Sequence, residues 1–346
     1  MVQWVMIKDC REEDILAEDI VNKDGMVIAR KYTMLNHYIL SILRYFGIAK
    51  IRIFSERKDP CSEEHRSYLH IREDYKENIQ QIKRILCNLV AGRNLEMERI
   101  HQMIKNFCSH IEESYTILKV LGEEKQYDEY TYTHSLNVAI YAMLIGKWMK
   151  LEQEDLEKVV IAGLLHDIGK IRVPYEVLNK REKLSKEEFD IIKMHSAYGY
   201  EILKKQKEFP EDICRAVLLH HERLDKSGYP YGYGEEQICL FARIIAVADV
   251  YDAITTNRVY RNRMTPFEAF TILKTTEVKN LDPNIVNLFM TNISIHYVGM
   301  KVLLNTGEIG KIVYIPPQSI SDPIVDINHD YIDFSKRRDK NIIEIV

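Results

Sequence analysis

The six cysteines (Cys10, Cys61, Cys87, Cys108, Cys214 and Cys239) include no C-x-x-C pair and are too scattered to form a tight disulfide framework. That argues against a stapled, secreted scaffold and fits buried thiols in a reducing compartment. A basic excess is also missing: Lys+Arg number 48 against 52 Asp+Glu, for a net charge of -4. A nucleic-acid coat is therefore not expected, and any anionic ligand has to be held by local groups. No apolar run approaches the ~18 residues that span a bilayer, and the N-terminal MVQWVMIKDCREED lacks the charged-then-apolar pattern of a signal sequence. Neither internal repeats nor low-complexity tracts occur. The expectation is a cytoplasmic protein with no membrane and no nucleic-acid polymer as partner.

What is present is a chain of 346 residues, long enough for two or three domains. Residues 1–58 are expected to form a small β-rich module. In it, Asp19 to Ile28 folds about the turn Asn22-Lys23-Asp24-Gly25, Thr33 caps a helix that Gly47 ends, and Ile48 to Phe54 is a strand. Residues 59–127 read as a helical connector. Tyr68, Ile71, Tyr75, Ile79, Ile82, Leu86 and Leu89 recur in steps of three and four along one helix face. After Gly92-Arg93-Asn94 a second amphipathic helix, with Ile100, Ile104, Phe107, Ile111, Leu118 and Leu121, returns as a hairpin. Intramolecular packing is the favoured use of this stripe, with a homodimer through helices 63–122 as the alternative. Residues 128–295 read as consecutive helices with short connections, and 296–346 as a second small β-rich module. The fold class is thus mainly α.

The chemistry concentrates in the helical segment. His166 and Asp167 follow an apolar run in AGLLHDIGK, His134 lies in YTYTHSLNVAIYA, His195 in IIKMHSAYG, His220 and His221 close AVLLHH, and Asp249 sits in RIIAVADVYDA. One buried His-Asp pair is ordinarily a hydrogen-bonded core pair. Five histidines and two aspartates inside or at the ends of apolar helices are costly unless they share a ligand, and neutral imidazoles with carboxylates suit a divalent metal. The two doublets provide enough ligands for two ions, with one carboxylate left to bridge.

Lys170 lies three residues after Asp167, near the same helical face, so its ammonium can reach an anion beside the metals. Asp252 bears the same relation to Asp249, with a charge at a helix N-terminus as an equally weighted reading. Arg258 and Arg261 offer bidentate donors to phosphate, or pairing with nearby carboxylates.

Taken in order, YTYTHSLNVA, AGLLHDIGKIRVP, KMHSAYG, HHERLDKSGYP and ARIIAVADVYDAITTNRVYR resemble the HD-GYP phosphodiesterases across about Asp128 to Ser294. The resemblance implies an all-helical HD-type catalytic domain that hydrolyses cyclic di-GMP to linear pGpG and then GMP. It implies metal ligation by His134, His166, Asp167, His195, His220, His221 and Asp249, with Asp167 bridging. It also implies substrate contacts from Lys170, Tyr229, Asp252, Arg258 and Arg261, and two divalent ions, iron or manganese before nickel or zinc.

Two positions depart from the family pattern. Tyr130 stands where members with a third metal carry a glutamate, with Glu129 one step round the helix, so a binuclear site is expected. Lys226 stands where the loop before Gly228-Tyr229-Pro230 usually has glycine. If that position needs a positive φ, lysine costs ~1 kcal/mol. An HD phosphohydrolase acting on another cyclic or mononucleotide, and a silent cyclic dinucleotide receptor or adaptor, are the rival readings.

Overall fold

The computed structural model describes residues 2–12, 14–54, 60–90, 93, 97–109, 114–123, 130–180, 182–256, 264–275, 280–337 and 339–346. The chain divides into two compact units. One comprises Met1–Glu63, Met264–Ile272 and Phe289–Val346, the other Glu64–Arg263 and Leu273–Leu288. The two terminal modules share one unit, and the connector shares a unit with the helices that carry the chemistry.

In the terminal unit, strand Val2–Met6 pairs antiparallel with Lys50–Phe54, and Ile20–Val21 pairs with Val27–Ala29 about the expected turn. The Asn22 side chain accepts from the N–H groups of Asp24 and Met26, and Gly25 supplies the positive φ. The helix His37–Tyr45 is capped by Asn36, whose side chain accepts from Ile39 N–H, and not by Thr33, which is buried before the helix begins. Gly47 ends the helix as expected, at φ +68°. The C-terminal segment forms a five-stranded antiparallel sheet in the spatial order 330–333, 324–327, 309–314, 301–304, 342–345. Long-range bonds join the two ends of the chain: Asn36 Nδ2 donates to the Val313 carbonyl at 2.7 Å, Gln318 Nε2 to the Val27 carbonyl at 3.0 Å, and the Tyr314 hydroxyl to the Ile28 carbonyl.

The other unit is helical. Its central helix, Tyr130–Trp148, is buried on every side from Thr133 to Gly146, which suits a sequence with no polar face. It packs against Gln153–Leu165 and Leu240–Thr255. Gly163 lets the first of these approach closely, since a Cβ there would lie 3.0 Å from the Ala139 backbone. Glu211–Leu219 packs on both flanking helices and on His195–Gln206. The connector begins with Pro60–Val90, whose Ile71, Tyr75, Ile79 and Ile82 are buried within this chain, so the face that could have offered a dimer seam is largely covered from inside. The expected second helix is described as two, Met97–Ser109 and Ser114–Glu123. Cys214 is buried as expected, whereas Cys10, Cys108 and Cys239 are half-buried and Cys87 is exposed. Among the described residues, no helix is long and apolar enough to cross a membrane.

Candidate metal centre

Three histidines stand where helices meet turns. His166 follows the last residue of Gln153–Leu165, His195 opens His195–Gln206, and His220 follows Glu211–Leu219. Each places Nδ1 2.7 Å from the carbonyl three residues earlier, Gly163, Ile192 and Val217 respectively. A carbonyl only accepts, so each Nδ1 carries the proton and each Nε2 presents a lone pair. His134, inside the central helix, obtains the same polarity from Asp252, whose Oδ2 accepts from Nδ1 at 2.7 Å.

The lone pairs converge. His195 Nε2 and His220 Nε2 face each other at 3.4 Å. Burial above all holds both imidazoles below their ordinary pKa, against the opposing pull of Asp167, and the neighbouring histidines add to it at His220, so both rings favour the neutral form. His221 is likewise held well below its usual range, by burial above all. Two lone pairs so placed repel unless a cation lies between them.

Asp167 joins both sides of the cluster. Its Oδ1 lies 3.3 Å from His195 Nε2, and its Oδ2 lies 3.3 Å from His166 Nε2 and 3.7 Å from His134 Nε2. Two groups of ligand atoms result, Asp167 with His195, His220 and His221, and Asp167 with His134 and His166, the atoms of each lying within 4.8 Å of one another. Asp249 adds Oδ1 at 3.2 Å from His134 Nε2 and Oδ2 at 3.9 Å from His221 Nδ1. His166 Nε2 and Asp167 Oδ1 are buried with no hydrogen-bond partner, the condition a metal relieves. Burial alone would raise the Asp167 pKa, but the Lys170 cation and His166 outweigh it and hold the carboxyl well below the usual range. Asp249 is kept ionised against burial chiefly by its hydrogen bond to His134. Burial opposes a charge on His134, whereas the neighbouring carboxylates of Asp249 and Asp252 favour it, so the ring sits in a strongly anionic pocket suited to a cation. The structure thus brings the seven residues expected to bind metal close together, six of them in the two groups and Asp249 beside them, and their chemistry fits divalent ions.

The accessible edge is formed by Lys170, His221 and Tyr229. Lys170 leaves the 3₁₀ turn Ile168–Arg172 and sets Nζ 2.5 Å from Asp167 Oδ2, with 28% of its side chain exposed. The Tyr229 ring stacks on His221 at 4.6 Å between centroids. Burial, then Asp249 and Asp167, push its phenol far upward, so it stays protonated and can donate. Gly228 is required by a backbone contact: a Cβ there would lie 2.4 Å from Glu222 Cα and 2.5 Å from the His221 carbonyl oxygen. Lys226 does adopt φ +70°, so the left-handed cost expected at that position is incurred, in a turn where Asp225 accepts from the Ser227 N–H and hydroxyl.

Asp252 differs from its expected role. It is fully buried, Oδ1 accepts from Asn137 Nδ2 at 2.9 Å, and Oδ2 is taken by His134, so it orients a ligand and has no free edge for substrate. Arg258, Arg261 and Glu129 lie outside the described residues, as does the side chain of Tyr130. Glu222 was missed: buried to 2% exposure, it accepts from the backbone N–H groups of Tyr231 and Tyr233 at 2.7 and 3.0 Å and so pins the loop after Pro230. Asn137 was missed too, although its spacing of three from His134 put both on one face.

Comparison with known proteins follows the same lines. The HD domain model matches residues 102–285, more than half of the chain. A cyclic di-GMP phosphodiesterase of Pseudomonas aeruginosa is 33% identical over 237 residues, covering 68% of this chain and 57% of its own. A cyclic di-GMP phosphodiesterase response regulator of Xanthomonas campestris pv. campestris is 39% identical over 43% of this chain and 40% of its own. A 3'3'-cGAMP-specific phosphodiesterase of Vibrio cholerae is 38% identical over 44% and 33%. The chain therefore spans less than two thirds of the length of each. An HDGYP protein from Bdellovibrio bacteriovorus shares the fold, with a TM-score of 0.51 at 13% identity, over 84% of this chain and 98% of its own. Family match, linked motifs and shared fold agree: the chain belongs to the HD domain family, in its HD-GYP group.

Proposed function

We propose that the chain is a cyclic di-GMP phosphodiesterase, opening the ring to linear pGpG and then releasing GMP, with two divalent ions that would be held by ligand groups sharing Asp167. The observation that carries this reading is the facing pair of Nε2 atoms of His195 and His220, 3.4 Å apart beside Asp167, on rings whose Nδ1 atoms each face a backbone carbonyl. Divalent ions bound there supply a Lewis acid for a phosphate oxygen and an activated water. His134, His166, His195, His220, His221, Asp167 and Asp249 would hold them; this mixed nitrogen and oxygen set suits iron, manganese, nickel or zinc alike, and the family resemblance favours iron or manganese.

The remaining groups act on the substrate. Lys170 presents a compact cation to the charge that develops on the phosphate. Tyr229, protonated and locked against His221, donates to a substrate oxygen and helps fix the nucleotide, while Glu222 keeps its loop from drifting. A second reading, hydrolysis of 3'3'-cGAMP, is supported by the likeness to the Vibrio cholerae enzyme. Anaerobically prepared protein loaded with iron or manganese, incubated separately with cyclic di-GMP and 3'3'-cGAMP, should convert the first to pGpG and GMP on chromatography. Exclusive turnover of 3'3'-cGAMP would replace the substrate. No turnover of either would overturn the enzymatic reading.

A further inference from the structure

A buried hydrogen-bond chain reaches the metal cluster from outside the segment that matches the family. Tyr75, on the helix Pro60–Val90, donates its hydroxyl to Asn137 Oδ1 at 2.7 Å. Asn137 Nδ2 donates to Asp252 Oδ1 at 2.9 Å, and Asp252 Oδ2 accepts from His134 Nδ1 at 2.7 Å. Tyr75, Asn137, Asp252 and His134 are 2%, 1%, 0% and 2% exposed, so water does not substitute for these bonds. The polarity of the chain is fixed at each link. A carboxylate only accepts, so Asn137 must turn its amide N–H toward Asp252, which leaves its oxygen for the phenol. The same carboxylate keeps the proton of His134 on Nδ1, so Nε2 faces Asp249 at 3.2 Å and Asp167 at 3.7 Å.

We propose that Tyr75 is a positioning residue for His134. A packed tyrosine needs some acceptor, and any backbone carbonyl would serve. Here the acceptor is an amide whose other end is committed to the carboxylate that orients a ligand. Removing the hydroxyl strands Asn137 Oδ1 in a dry site, and the amide relieves this by rotating or shifting, which loosens its hold on Asp252. Tyr75 precedes residue 102, where the family match begins. The connector helix is thus part of the metal site and does more than space two domains. The proposal rests on the reading of His134 as a metal ligand.

The test is a double-mutant cycle on the full chain with Mn²⁺ as probe, comparing the native protein with Tyr75→Phe, His134→Ala and the double variant. Direct outer-shell partners of metal ligands contribute ~10- to 100-fold in affinity, and one link further out we expect Tyr75→Phe to weaken Mn²⁺ binding by about 3- to 30-fold. In the His134→Ala background the same change should have no further effect. Thermal unfolding of the metal-free proteins checks that each is folded, and Asn137→Ser, read the same way, replaces Tyr75→Phe if that variant does not fold. Unchanged affinity in Tyr75→Phe, or an equal loss in both backgrounds, overturns the positioning role while leaving the metal centre in place. If His134→Ala itself binds Mn²⁺ as the native protein does, the metal-ligand reading fails and the positioning role with it.

Discussion

Lys170 shows how a single side chain divides two functions that are easily confused. Its Nζ is close to the carboxylate that both ligand groups share, yet it reaches solvent and contributes no lone pair to a metal. Replacing it with alanine should lower turnover by about 10²- to 10³-fold, the loss of one charge-assisted contact to the transition state. Metal content should stay near that of the native protein, because the seven ligands remain. Steady-state kinetics with elemental analysis of the same samples checks this. Unchanged kinetics would reduce Lys170 to a surface cation, and a parallel loss of metal would make it a support for Asp167. At this scale most of the site was legible in the sequence, because a charged or imidazole side chain inside an apolar helix announces an unpaid desolvation cost. Asp252 was placed on the right face with the wrong partner. Helical spacing gives direction round the axis but not depth, and Asp252 lies fully buried behind His134. Tyr75, Asn137 and Glu222 escaped because an isolated polar residue can bond to almost anything, and only the tertiary fold names the partner.

At the scale of elements, the histidines proposed as ligands stand mainly at helix ends, where each can reach back to the carbonyl three residues earlier and point Nε2 outward. The elements must then meet closely. Gly169 of HDIGK provides the closest approach: a Cβ there would fall 1.8 Å from the His195 carbonyl oxygen and 2.5 Å from the Gly199 nitrogen. Both obstacles are backbone and cannot rotate away. Gly169→Ala should therefore destabilise the protein by roughly 3 kcal/mol, at the upper end of overpacking costs, and lower metal occupancy by moving His195 away from Asp167. Urea unfolding of the metal-free variant measures the first effect, and an unchanged midpoint would show that the turn yields at no cost. The sequence disclosed that helices lay here, because their apolar content leaves little alternative, but not which turn touches which. Local competition explains the misplaced cap. Thr33 and Asn36 both suit a helix start, and Asn36 serves because its Nδ2 also reaches the Val313 carbonyl, a contact 277 residues away.

At the scale of the molecule, the association of the first and last segments in one unit was invisible to periodicity, since strand and helix patterns are local while the Asn36 and Gln318 bonds join opposite ends of the chain. The family resemblance did carry the mainly helical fold class, because five motifs in fixed order imply one helical architecture. We propose that the helical unit builds a two-metal centre on a shared Asp167, because Tyr130 replaces the glutamate that the family resemblance associates with a third metal. Elemental analysis of anaerobically purified native protein beside Asp167→Asn tests it most directly. The isosteric amide preserves shape but removes the charge that both ligand groups share. We expect about two divalent ions per native chain, and coordinate loss of both in the variant. A native stoichiometry near one or three, or a variant that retains its full metal complement, would contradict the claim.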